Sequence, residues 1–293
     1  DIKNCLMPAT DANINCKTLN YVITHTNKSV HIKYHSAKHD TAIQYDFPPV
    51  LRNITINASN AIFQSSISIL GETYTAGSFL ILSNIIFENV SIILSKMSVE
   101  FQQCKFLNVE MMNIPVKGKR ESSVKVDKAH KINEHVFISL YKTVWYVKSS
   151  AYLPHKNRIM FEQVKTIHLI VRKSKLSSTE IIIQSYRLVL NLNRVSFIDK
   201  YNEKLSLFSI RPDSQGRLHV SFIHRNSILL KQVFVHLMQP FSTSDIPVPF
   251  LDVNLHNIMI LMIDSKFINS GTALNIARKY TKYMYDGVFL NVS

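Results

Sequence analysis

Apolar residues along this chain come in short runs broken by polar ones every two or three positions, as in Ile67-Ser68-Ile69-Leu70 and Ile181-Ile182-Ile183. That rhythm suits strands, whose side chains alternate between two faces, better than helices. No apolar run approaches the roughly 18 residues a membrane helix needs. With only 6 glycines, the chain is poor in the tight turns that join antiparallel hairpins. Short strands without hairpin turns predict an all-β protein with longer-range, parallel pairing, in preference to a β-sandwich.

A degenerate repeat organises the strands. Five segments align on a phenylalanine: Asn84 to Asn89 on Phe87, Gln103 to Asn108 on Phe106, Arg158 to Gln163 on Phe161, Arg194 to Asp199 on Phe197, and Asp264 to Asn269 on Phe267. Positions two apart on a strand share a face, so each Phe and the residue two before it (Ile85, Cys104, Ile159, Val195 or Ser265) are expected inside. Two residues after each Phe stands Asn, Asp or Gln, suited to a turn where stacked side chains hydrogen-bond to one another. One such unit cannot bury its apolar face alone, whereas stacked units build a continuous core. The expected architecture is a right-handed parallel β-helix solenoid, each coil of about 20 to 25 residues holding two or three short strands.

The stretches from Val99 to Asn108 and from Met262 to Asn275 resemble coils of pectin-lyase-like right-handed β-helix proteins, and Asn15 to Ile23 resembles the short capping helix that opens many such domains. The resemblance spans roughly residues 16 to 293. It implies a cap over residues 1–26 and a β-helix over 27–293, continuing past Ser293 because the final segment reads as a strand cut short. It says little about activity, since that family holds lyases, glycosidases, adhesins and ectodomains.

Two stretches depart from the rhythm. Residues 114–135 carry Lys117, Lys119, Arg120, Lys125, Lys128 and Lys131 and read as an exposed basic loop. Pro247 and Pro249 mark a second excursion. His31, His35 and His39 are spaced by four, which on one element would group them as metal ligands, but Lys33 and Lys38 lie among them; no metal and no cofactor is expected.

Charge changes the picture. The chain holds 34 Lys and Arg against 20 Asp and Glu, a net charge of +14, which favours anionic partners. Basic residues recur at outward positions of the repeat: Lys105, Arg158, Arg194 and Lys266. On stacked coils they are expected to form a ladder of like charge, reinforced by the basic loop.

Cysteine and asparagine bear on compartment. Cys5 and Cys16 enclose a short polar segment and are expected to form a disulfide, while Cys104 is expected to be free and buried. Sequons stand at Asn27, Asn53, Asn57, Asn89 and Asn291, the pattern of a secreted glycoprotein.

These features predict a non-catalytic extracellular recognition, adhesion or structural module whose partners are proteins or anionic glycans. Membrane attachment would come only through a segment outside this chain. No nucleic acid is expected, because no recognised module for it is present. The alternative is a polysaccharide-active enzyme, which needs clustered carboxylates that the scattered acids do not provide in sequence.

Overall fold

The computed structural model describes residues 4–7, 30–34, 38–39, 43–47, 53–64, 67–71, 79–113, 135–147, 157–177, 179–199, 208–211, 226–237, 251–253, 258–268, 274–276 and 288–292. All regular structure among them is strand, and every pairing is parallel. The expected capping helix lies outside the described residues. Within the segment assigned to the cap, Asn4–Met7 is a strand paired with Val30–Tyr34.

The strands fall into three ladders that the chain visits in rotation. From Phe79 onward, Phe79–Glu88 joins the first ladder with its early residues and the second with its late ones. Ser91–Ser95 then joins the third. Ser98–Gln102, Lys105–Leu107 and Glu110–Met112 repeat the order, and so do His135–Tyr141, Val144–Tyr146 and the start of Asn157–Arg172. One circuit takes 19 residues between the paired Ile81 and Glu100, but 39 between Glu100 and Ser139. The added length falls where the basic excursion was expected; its residues 114–134 lie outside the described set.

The register explains the core. In the first ladder, Ile56, Leu82, Phe101, Leu140, Val171, Leu192, Leu230 and Met262 occupy one inward row, all buried. In the second, Phe63, Phe87, Phe106, Trp145, Leu176, Phe197, Val235 and Phe267 form another. Stacked rings run along it: Phe63 to Phe87 at 5.7 Å, Phe87 to Phe106 at 5.1 Å and Phe106 to Trp145 at 4.1 Å. Phe87, Phe106 and Phe197 are buried as the repeat predicts, and Phe267 is half-buried.

Phe161 is the exception. It is buried, but in the third ladder, opposite Ile183. The difference lies three residues upstream. Asn84, Gln103, Lys142, Lys173, Arg194, Gln232 and Asp264 all have φ between 48° and 58°, and each precedes its inward residue by three. This left-handed corner swings the chain from the first ladder to the second. Arg158 has no such backbone, so the aromatic that follows it enters another ladder.

Corners are stitched between circuits by backbone bonds. The amides of Gln103, Lys142 and Lys173 donate to the carbonyls of Tyr141, Arg172 and Asn193, at 2.9, 3.0 and 2.9 Å. Past the aromatic row a second corner holds Asn89 and Asn108, also at positive φ. The Asn108 amide donates to Asn89 Oδ1 at 2.9 Å, the stacked-amide contact expected for residues two past each Phe.

Cys104 is free and fully buried, as expected, and its Sγ donates to the Leu82 carbonyl at 3.3 Å. Burial pushes its thiol up to about 12, so almost no thiolate exists at neutral pH. Alkylation of Cys104 by iodoacetamide is expected only after denaturation; rapid labelling of the native protein would contradict this packing.

His168 is half-buried beside the Phe137 ring, at 5.8 Å. Burial, then Arg187 and His135, hold its pKa below the usual value. The unfolded chain therefore binds this proton more readily than the folded one. The resulting stability is present above about pH 6.5 and lost as pH falls through the folded pKa. His168→Leu is expected to flatten that acid-side decline in melting temperature; an unchanged decline would place its origin elsewhere.

Candidate anion-binding surface

The outward basic residues do not form the single ladder expected from the repeat. Lys105 and Lys266 lie on the outer face of the second ladder, but Lys105 pairs in register with Ile86 and Val144, and Lys266 with Phe234. Arg158 stands in the third ladder between two acids, its Nη1 3.5 Å from Glu110 Oε1 and its Nε 3.1 Å from Glu180 Oε2. Its charge is therefore balanced locally. Arg194 is a corner residue, because it lies three rather than one before its aromatic. Positions one and three before the Phe belong to different surfaces, which strict strand alternation does not reveal.

A different cluster takes shape around Arg194. The corner row reads Lys142, Lys173 and Arg194 on three successive circuits, flanked by the uncharged Gln103 and Gln232. One residue earlier the row reads Tyr141, Arg172, Asn193 and Lys231. Lys142, Arg172, Lys173, Arg194 and Lys231 are all exposed, and exposed Lys175 lies on the adjoining strand. Five cations thus line one edge over four circuits, spaced by the strand separation of about 4.8 Å.

Tyr141 sits among them. Its ring centroid is 5.3 Å from Lys142 Nζ, 5.7 Å from Arg172 Cζ and 5.8 Å from Lys173 Nζ, within cation–π range. Among the described residues one acid is ion-paired with this group: partly buried Glu100, 3.9 Å from Arg172 Nη2, a long contact to one of the five cations. Arg194 Nε donates to Gln232 Oε1 at 3.0 Å, which orients the guanidinium without neutralising it.

Sequence reasoning reached Arg194 and missed Lys142, Arg172, Lys173, Lys231 and Tyr141. The signal was present. Trp145 and Leu176 stand in the aromatic row, and counting back three from each gives Lys142 and Lys173. Restricting the repeat to Phe hid them.

Lys117, Lys119, Arg120, Lys125, Lys128 and Lys131 lie outside the described residues, as do Cys16, Asn27 and His35. Cys5 occupies the register row of Ile32 and Ile56. His31 and His39 lie on strands of the first and second ladders, not on one element. Asn53, Asn57 and Asn291 fall on first-ladder strands. Asn57 Oδ1 accepts from Asn84 Nδ2 at 2.8 Å, and Asn89 is exposed. Among the described residues no group of three or more His, Cys, Asp and Glu could hold a metal ion, and no helix is long and apolar enough to cross a membrane.

Compared with protein-family models, with curated proteins and with solved structures, the chain matches none of them.

Proposed function

We propose that this chain is a right-handed parallel β-helix of the pectin-lyase-like kind, serving as a non-catalytic extracellular recognition or adhesion module that engages anionic partners. The rotation through three parallel ladders supports the solenoid, and parallel crossovers are overwhelmingly right-handed. The sequons and the expected Cys5–Cys16 bridge support the compartment. The observation that carries the binding role is the edge of five exposed cations, three of them gathered around Tyr141. Like charges held about 4.8 Å apart repel, and an anionic partner relieves that repulsion while adding contacts.

Heparin-affinity chromatography of the whole chain tests this reading. Retention at about 0.1 M salt, weakening steeply as salt rises, is expected. Elution with neutral proteins would leave the charge as a solubilising surface.

The polysaccharide-active alternative has one observation on its side: two carboxylates, Glu110 and Glu180, flank Arg158. Both engage the guanidinium through one oxygen each, which accounts for the pair as a charge-balancing cluster around Arg158. No turnover of polygalacturonate is expected; turnover abolished by Glu180→Gln would favour the enzyme.

A further inference from the structure

We infer that the Tyr141 edge binds a linear acidic polysaccharide laid along the stacking direction, one anionic group per circuit, with Tyr141 holding the cations in position. This rests on the anionic-partner reading and adds a place, a direction and a ligand class.

The residue choice at the corner is the first support. The left-handed backbone there is best served by Asn or Gly, and the same row holds Asn84, Gln103, Gln232 and Asp264 on other circuits. Folding therefore does not require a cation at this position. Lys142, Lys173 and Arg194 on consecutive circuits add like-charge repulsion to a backbone that already disfavours them. Such a run needs a reason outside folding.

Geometry supplies the second. The corner amides of Gln103, Lys142 and Lys173 are hydrogen-bonded to the next circuit, so the backbone positions that carry the cations follow a pitch of about 4.8 Å. Three such steps, about 14 Å, separate the Tyr141 circuit from that of Lys231. The pitch is close to the length of one sugar ring along a glycan chain. An acidic peptide in extended form presents same-face side chains every two residues, about 6.6 Å apart. Single-stranded nucleic acid calls for successive aromatic platforms, and among the described residues Tyr141 is the one aromatic in this cluster, with cations already around its ring.

Tyr141 has a distinct part. Long basic side chains lose rotamer freedom when they bind. Three of them gathered around one ring have already lost some of it, so the ring contributes affinity without contributing charge.

The test is a titration of the whole chain with heparin-derived di-, tetra- and hexasaccharides, with oligo(dT) and poly-glutamate as competitors. Affinity is expected to rise to the tetrasaccharide and then level off. The triple variant Lys142→Gln, Lys173→Gln, Arg194→Gln keeps the corner, since Gln already occupies it at 103 and 232. It is expected to bind about tenfold more weakly or worse, with a shallower salt dependence. Tyr141→Leu is expected to lose affinity severalfold while keeping the wild-type salt slope. Lys105→Gln with Lys266→Gln is expected to bind as wild type. Circular dichroism identical to wild type establishes that the variants fold. If the triple variant binds heparin as wild type does, this site is wrong although the anionic-partner reading stands. If no polyanion binds the wild type, that reading falls as well. Tighter binding of oligo(dT) or poly-glutamate overturns the glycan assignment.

Discussion

Phe106→Ala is expected to destabilise the protein by about 3 to 5 kcal/mol, the usual range for a buried aromatic. Phe106 is fully buried, with Phe87 stacked at 5.1 Å on one side and Trp145 at 4.1 Å on the other, and Phe101 edge-on at 5.4 Å. Neighbouring circuits hold both stacking partners in hydrogen-bonded register, so the hole cannot close by moving one ring. The cost should lie toward the upper end for that reason. Phe267→Ala removes the same side chain from a half-buried position and should cost less. Denaturant unfolding of the two variants checks the order; equal losses would contradict a row that is tightest in its middle.

Asn157→Leu is expected to cost about 1 to 3 kcal/mol although it adds apolar surface. Asn157 is completely buried, where its Oδ1 accepts from the Val109 amide at 2.9 Å and its Nδ2 donates toward the Ser177 carbonyl at 3.4 Å. It therefore joins the backbones before and after its own circuit. Leucine leaves a buried N–H without a partner, and that desolvation is not recovered. Asn226 plays a similar part, its Oδ1 accepting from the Leu188 amide at 2.8 Å. Thermal denaturation of Asn157→Leu and Asn226→Leu provides the check. A gain in stability from either would show that these amides are not structural ties.

Much of the core was legible because burial imposes a periodicity on residue type. Phe87, Phe106 and Phe197 were placed inside from their spacing, and the stacked Asn89 and Asn108 from their position two past the ring. The corner was not legible, because Gln, Lys and Arg occur there beside the Asn and Asp that positive φ favours, so residue type does not betray backbone conformation. Arg158 imitates the repeat in its side chains while lacking that backbone, so Phe161 is inside as its spacing predicts but lies in the third ladder. The basic edge stayed hidden because it is assembled across circuits of unequal length. Lys142, Lys173 and Arg194 are 31 and 21 positions apart in sequence, and only strand register brings them together.

The measurement closest to the centre of this account is the distance between bio-orthogonal spin labels along the outer row of the second ladder. Lys105 and Ser196 are three circuits apart in that row, and Lys105 and Lys266 are five. At about 4.8 Å per circuit the backbones should be separated by about 14 Å and about 24 Å, a distance that grows in step with circuit number. Separations that fail to grow from the first pair to the second would contradict the stacked, parallel arrangement on which the core, the corners and the basic edge all depend.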